Sequence, residues 1–168
     1  MKQFLFFTIL LYAVFSFSQE PMVSEDILLR NDSIQLPGTL TYNNTLKSQP
    51  LAIFIHGSGN VDRNGNQAGA NIKANYIKQL ADSLNAKGIA FYRYDKRSAT
   101  KENIKFIMDD MDFYGFVEDA NLAISKFKDD NRFSSIILIG HSQGSLVAML
   151  AAQKHVDKYK SLPLKGDN

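Results

Sequence analysis

The residues best suited to chemistry surround Ser142, which has a glycine two positions before it and another two positions after it. Four apolar residues precede this group, and an apolar stretch with helical spacing follows it. A sharp strand-to-helix turn presents a serine hydroxyl above a sheet, and glycines permit that turn because they have no side chain. We therefore predict that Ser142 is a nucleophile held between Gly140 and Gly144. An ordinary glycine-flanked turn is the alternative.

A second glycine-containing segment, HGSG at residues 56–59, follows another apolar run. Gly57 and Gly59 let the backbone approach a substrate closely. We predict that the backbone N–H groups of Ser58 and Gln143 form an oxyanion hole, in which donors stabilise the negative charge of an acyl-transfer transition state. His56 is expected to have a structural role in this loop.

The elements that would position these groups follow from hydrophobic patterning. Residues 24–43 form a predicted β-hairpin, with turn-forming residues at 30–33. Buried strands are predicted at 51–55, 89–94 and 134–140, and helices at 71–88, 112–130 and 143–156. Buried strands that alternate with amphipathic helices indicate an α/β fold, with a largely parallel sheet and helices on both faces.

Three motifs carry a family resemblance: HGSGNVDRNGN, RYDKRS and GHSQGS, in that order. Together they resemble bacterial secreted α/β-hydrolases of the serine esterase and serine aminopeptidase-like group, over about residues 25–155. The resemblance implies an α/β-hydrolase-type sheet, Ser142 as nucleophile and the amides of Ser58 and Gln143 as oxyanion donors. Ser98 departs from the pattern, because such families usually have glycine after the arginine.

A nucleophilic serine needs a histidine as base and an acid to orient that histidine. The resemblance implies that both follow the serine in the chain. His56 belongs to the oxyanion loop, and we expect the side chain of His141 to point away from the site into packing. His155 lies on the helix that follows Ser142, about 20 Å along its axis, and Asp157 comes after it, which is the wrong order. None of these residues completes a triad.

The strand count leads to the same expectation. Five strands are predicted, whereas the family places its nucleophile after the fifth of eight strands and its acid and histidine on later loops. Residues 161–164 could begin a sixth strand. We expect residues 19–168 to be the N-terminal part of a longer hydrolase domain, truncated after the nucleophile helix, with little turnover. One sheet edge should then be unpaired, with apolar surface uncovered.

The function expected from the sequence is hydrolysis of a small-molecule ester or related acyl substrate. Esterase, thioesterase and aminopeptidase activities are not separated by these motifs. The rival interpretation is a non-catalytic binding protein that kept the fold and lost the triad.

The first 18 residues resemble a cleaved signal peptide, with Lys2, an apolar run, and Ser16 and Ser18 before the expected cut. The apolar run is shorter than the roughly 20 residues that a membrane-spanning helix needs. We therefore expect export, without a stable membrane anchor.

Composition excludes several other classes of protein. The chain has no cysteine, which excludes disulfides and thiolate catalysis. Its net charge is +2 without a basic block, so nothing indicates nucleic acid as a partner. Residues 60–66 resemble a calcium loop only superficially, because they have too few acids and no final glutamate. We expect neither a metal nor a cofactor.

Charged residues in two loops have alternative roles. Asp62 and Arg63 could contact substrate, or could pair with each other and order their loop, which we favour. Asp95, Lys96 and Arg97 follow a predicted strand, and contacts that order their loop are the favoured role. The alternative for Asp95 is that it serves as a displaced triad acid.

Overall fold

The computed structural model of the chain describes residues 21–67, 69–70, 73–108 and 112–156. The strands are β1 (Met22–Asn31), β2 (Ile34–Asn43), β3 (Gln49–Ile55), β4 (Ala90–Tyr94) and β5 (Phe133–Gly140). The helices are α1 (Tyr76–Asn85), α2 (Ile104–Ile107), α3 (Phe113–Phe127) and α4 (Gln143–Val156), with 3-10 turns at Arg97–Ala99 and Lys101–Asn103. The predicted signal peptide and the predicted sixth strand lie outside the described residues. Within them, no helix is long and apolar enough to cross a bilayer.

The five strands form one mixed sheet in the order β1-β2-β4-β3-β5. β1 and β2 form the predicted hairpin, with Asn31 opposite Ile34 and Asp32 in the left-handed region of φ that tight hairpin turns require. β2 pairs with β4 in the antiparallel sense, whereas β3 runs parallel to both β4 and β5. The carboxyl ends of β3, β4 and β5 therefore meet at one edge of the sheet.

β3 is buried on both faces, as its continuous apolar run predicts. Leu51, Ile53 and Ile55 belong to a core that α3 and α4 cover. Ala52 and Phe54 belong to a second core that α1 covers. Because side chains alternate across a strand, this division places helices on both faces of the sheet and confirms the predicted α/β architecture.

The prediction that β5 is a buried strand is wrong. Its residues are partly or largely exposed, and 43% of Ile137 is accessible to solvent. The reason is that β5 is the last strand of the sheet and, among the described residues, pairs with β3 alone. Apolar side chains also remain exposed on α4, at Leu146 and Met149. The predicted unpaired edge with uncovered apolar surface is thus confirmed for the described part of the chain.

Helix α1 is shorter than predicted, whereas α4 has the predicted bounds. Asn75 adopts a left-handed conformation, with a φ of 50°, directly before the first residue of α1. Helical residues need negative φ, so the helix cannot extend backwards through Asn75. At the other end, Gly88 has a φ of 74°, which prevents a helical continuation.

A buried ion pair fastens α3 to the loop that follows β4. The Arg97 guanidinium donates from Nε and Nη2 to the two carboxylate oxygens of Asp119, each at 2.7 Å, and Nη2 also donates to the Gly115 carbonyl. Only 2% of the Asp119 side chain is exposed. A Cβ at Gly115 would overlap the guanidinium, which explains a glycine inside this helix.

Removing one partner of this pair should destabilise the protein strongly. Asp119→Ala leaves the Arg97 charge buried without its partner, and we expect the free energy of unfolding in urea to fall by about 3–5 kcal/mol. The matched control is Asp82→Ala, which removes the exposed Lys78–Asp82 pair and should cost less than about 1 kcal/mol. Equal losses in the two variants would contradict this account.

Candidate active site

Ser142 lies at a sharp turn between β5 and α4, and its backbone is strained. Its φ is 53°, in the left-handed region that serine seldom occupies. The turn is closed by two hydrogen bonds: the Gly144 N–H donates to the His141 carbonyl, and the Ser145 N–H donates to the Ser142 carbonyl, both at 2.9 Å. This is the strained strand-to-helix turn that the sequence predicts around a nucleophilic serine.

Both flanking glycines are required by backbone contacts. A Cβ at Gly140 would lie 2.6 Å from the Gly144 carbonyl oxygen. A Cβ at Gly144 would overlap the carbonyl oxygens of Ile55 and His56. The first turn of α4 therefore lies directly against the carboxyl end of β3, and no other residue type fits at either position without movement of the backbone.

The HGSG loop packs against this turn. A Cβ at Gly57 would lie 2.8 Å from Nδ1 of His141 and 3.2 Å from Cβ of Ser142. Gly59 has a φ of 94°, and Ser58 between them is exposed. The structure thus brings the residues of both predicted oxyanion donors, Ser58 and Gln143, next to Ser142. The catalytic roles of these three residues stay predictions.

Lys96 is a site residue that the sequence reasoning placed only among loop-ordering residues. Its Nζ donates to the Gly57 carbonyl at 2.7 Å and to Oε1 of Gln143 at 3.3 Å. The ammonium lies 4.3 Å from the centre of the Phe116 ring, and burial lowers the pKa of Lys96. Its position two residues after a strand that ends at the site was the available signal.

Asp95 has the loop-ordering role that we favoured. Arg63 donates to it from Nε and Nη2, each at 2.9 Å, and from its backbone N–H at 2.8 Å. These hydrogen bonds raise the pKa of Arg63. Both carboxylate oxygens of Asp95 are engaged by the guanidinium, which leaves little support for Asp95 as a displaced triad acid.

The predicted pairing of Asp62 with Arg63 is wrong, although both residues order their loop. Asp62 instead accepts hydrogen bonds from the backbone N–H groups of Asn64 and Asn66, at 2.8 and 2.9 Å. Because a short aspartate reaches nearby amides of its own turn, Asp62 orders the loop locally, while Arg63 reaches Asp95 in the loop after β4.

His56 is buried among aromatic rings. Its ring makes edge-to-face contacts with Phe54 and Tyr94. Burial lowers its pKa to about 4, and the ring is neutral at pH 7. Neither ring nitrogen makes a well-formed hydrogen bond within the described residues, although the nearby Asp62 backbone favours the charged form. This environment agrees with the structural role predicted for His56.

The expectation that His141 points into packing is wrong. The residue is exposed, and its ring lies 5.9 Å from the ring of Tyr76, at the rim of the site. The reason is that the ring lies against Gly57, which has no side chain to cover it: a Cβ at Gly57 would come within 2.8 Å of its Nδ1.

His155 lies in the last turn of α4, as predicted. Its Nε2 is 3.1 Å from Oδ1 of Asn121 on α3, and this contact joins the two helices far from Ser142. Among the described residues, no histidine hydrogen-bonds to the Ser142 hydroxyl, and no three metal-ligating side chains cluster.

A methyl group at Gly144 tests the close contact between α4 and β3. Gly144→Ala should lower the free energy of unfolding by about 3 kcal/mol or more, because its Cβ meets fixed backbone carbonyls. Gly69→Ala is the control: its Cβ would meet nothing within 4 Å, although Gly69, unlike Gly144, has a positive φ, of 83°. We expect it to cost about 1 kcal/mol, and the same loss in both variants would argue against the contact.

Stability should depend on the protonation of His56. Its pKa is about 4 in the folded protein and 6.5 when unperturbed, so between these values the unfolded chain binds a proton that the folded chain does not. Stability contributed by neutral His56 is therefore full above pH 6.5 and falls as the pH approaches 4, by up to about 3 kcal/mol. Urea unfolding between pH 7 and pH 4 should show a smaller decline in His56→Phe than in the wild type. Parallel declines would contradict this assignment.

Solved structures with this fold support the architecture. Est1E from Butyrivibrio proteoclasticus superposes with a TM-score of 0.56 and 24% identity, over 79% of this chain and 46% of its own. An α/β serine hydrolase homologue from Coxiella burnetii superposes with a TM-score of 0.56 and 21% identity, over 80% of this chain and 58% of its own. Dienelactone hydrolase from Anabaena variabilis superposes with a TM-score of 0.58 and 17% identity, over 81% of this chain and 59% of its own. The chain therefore spans about half the length of these proteins, and the likeness concerns the fold.

Sequence comparison identifies the family. A search of curated proteins finds no significant match. The family model for serine aminopeptidase, S33, however, matches residues 68–166, which is more than half of the chain and includes the turn at Ser142. The resemblance drawn from the three motifs is confirmed at this level. The chain belongs to the serine aminopeptidase S33 family of the α/β-hydrolase superfamily.

Proposed function

We propose that this chain carries the nucleophile and oxyanion hole of a serine hydrolase that acts on carboxylic esters or related acyl bonds. The observation that carries the proposal is the strained turn at Ser142, against which the HGSG loop packs directly. A residue held at an unfavourable φ costs about 1–3 kcal/mol of stability and persists at sites where the strain serves a function.

In the proposed reaction, the Ser142 hydroxyl oxygen attacks the substrate carbonyl carbon and its proton passes to a general base. The backbone N–H groups of Ser58 and Gln143 donate to the oxyanion that forms. Collapse of this intermediate breaks the bond to the leaving group, which takes up the proton, and leaves an acyl ester on Ser142. Water then hydrolyses the ester by the same steps.

The described residues contribute no general base to this scheme. His56, the first residue of the HGSG loop, is buried and has a lowered pKa, and His155 lies at the far end of α4 beside Asn121. The ring of His141 lies at the rim beside Tyr76, without a carboxylate partner among the described residues. The proposal therefore requires a histidine and an acid from outside the described residues, and we expect the described residues alone to give little turnover.

The proposal also includes a substrate class. The name of one similar protein, dienelactone hydrolase, favours a small ester, whereas the family name includes aminopeptidases. We propose an ester as the first substrate to test. We also propose export, on the strength of the apolar segment that begins the sequence.

The test compares Ser142→Ala with the wild type in the product of the complete reading frame. The DNA after codon 168 is sequenced first, since a frame that stays open and encodes an acid and then a histidine supplies the groups that the described residues lack. We expect hydrolysis of p-nitrophenyl butyrate by that product to fall at least about 10³-fold in Ser142→Ala. Ser125→Ala, on the exposed face of α3, is the matched control and should keep the wild-type rate.

Two outcomes would contradict parts of this proposal. Equal hydrolysis by the wild type and Ser142→Ala, or a stop codon after a stable, inactive protein, would support the rival binding protein. Esterase-like rates from the 168-residue chain alone, lost in Ser142→Ala, would instead show that the described residues already contain a base.

A further inference from the structure

We propose that Lys96 is the positioning residue of the oxyanion hole, and that its single ammonium group sets the orientation of both backbone donors. This inference rests on the proposed function and deepens it. It concerns how Ser58 and Gln143 are held, and it assigns Lys96 no direct contact with substrate.

Lys96 holds the first donor through its peptide unit. The Gly57 carbonyl, which accepts from Nζ of Lys96 at 2.7 Å, and the Ser58 N–H belong to the same peptide. A trans peptide is planar, and its C=O and N–H point in opposite directions. Fixing the Gly57 oxygen towards Lys96 therefore fixes the Ser58 N–H on the opposite side. This constraint matters because Gly57 has no side chain, so the Gly57–Ser58 peptide would otherwise rotate easily.

Lys96 also holds Gln143, the residue that provides the second donor. The same Nζ donates to Oε1 of Gln143 at 3.3 Å, so the residue that provides the second N–H is also held by Lys96. The Gly57–Ser58 peptide lies before α1 in the chain, whereas Gln143 begins α4. Lys96 is the one described side chain that hydrogen-bonds to both segments.

Burial of a lysine at this position costs desolvation free energy. Only 6% of Lys96 is exposed, and no carboxylate of the described residues forms a salt bridge with it. Its charged neighbours are engaged elsewhere, Asp95 by Arg63 and Arg97 by Asp119. The ring of Phe116 offsets part of the desolvation through a cation–π contact. A buried, unpaired cation that is retained beside a candidate nucleophile indicates a functional role.

A purely structural lysine would hold the loop in place without affecting the reaction. The two roles differ in what they change. If Lys96 orients the donors, its loss lowers the rate of the chemical step at Ser142 and leaves probe binding unchanged, whereas a structural role would change stability or binding.

The experiment uses the ¹⁵N-labelled product of the complete reading frame, because the base that activates Ser142 lies outside the described residues. The variants are wild type, Lys96→Met, Lys96→Arg and the matched control Lys126→Met on the exposed face of α3. One readout is the backbone amide NMR signals of Ser58 and Gln143. The other is phosphonylation of Ser142 by a fluorophosphonate, followed by intact-mass spectrometry, which separates the maximal rate from the half-saturating concentration. In this reaction the Oγ–P bond forms, the P–F bond breaks, and fluoride and the hydroxyl proton leave.

We expect Lys96→Met to shift both amide signals beyond the change seen in Lys126→Met. The maximal labelling rate should fall about 10-fold or more, with half-saturation within about twofold, since loss of a whole oxyanion donor costs about 10²–10³-fold. Lys96→Arg keeps a charged donor and should recover part of the rate. If Lys96→Met does not fold, Lys96→Gln takes its place, because its shorter side chain cannot reach both acceptors.

Unchanged amide signals in Lys96→Met, or shifted signals with wild-type labelling, would overturn the inference. Its failure is distinguishable from failure of the proposed function. A wild-type chain that labels no faster than Ser142→Ala contradicts the proposed nucleophile. In that case the amide signals still decide the role of Lys96: a shift that Lys96→Arg reverses supports it, and signals that match the wild type overturn it.

Discussion

The architecture of the site depends on one close contact between backbones. The first turn of α4 lies so near the end of β3 that a Cβ at Gly144 would overlap the carbonyl oxygens of Ile55 and His56. To enter the helix from β5 at this distance, the chain must turn within the single residue Ser142, whose φ is consequently positive. The same proximity brings the HGSG loop, which continues from β3, against the serine. Strain at the nucleophile and assembly of the site thus have one physical cause.

Three consecutive charged residues after β4 hold the surroundings of this contact in place. Asp95 receives Arg63 from the loop after β3, Lys96 reaches the Gly57 carbonyl, and Arg97 is fixed by Asp119 on α3. Each side chain reaches a different element, so the short segment works as a junction between the sheet, the HGSG loop and α3. Because the three contacts are largely buried, removing any one leaves polar groups without partners.

Sequence patterns predicted the parts of the structure that depend on local or strongly periodic signals. The apolar run in β3 is buried on both faces, and the glycines around Ser142 lie where backbone contacts require them. The family followed from motifs that such contacts constrain. These features were accessible because each is marked by a pattern of residue types within a short stretch of the sequence.

The features that sequence reasoning missed depend on distant partners. The composition of β5 is typical of a buried strand, and only its place at the end of the sheet explains its exposure. Lys96 is one of several lysines in polar loops, and its importance follows from two acceptors in segments remote along the chain. The ring of His141 lies against Gly57, a distant residue without a side chain that could bury it. Tertiary contacts of this kind leave no periodic trace in a sequence.

The central claim is that Ser142 and the two backbone amides form one reaction site. A crystal structure of the product of the complete reading frame after treatment with a fluorophosphonate tests it most directly. The account predicts phosphorus bonded to Oγ of Ser142, with the phosphoryl oxygen about 2.7–3.1 Å from the backbone nitrogens of both Ser58 and Gln143. An adduct on another residue, or a phosphoryl oxygen turned towards solvent and away from both amides, would contradict it.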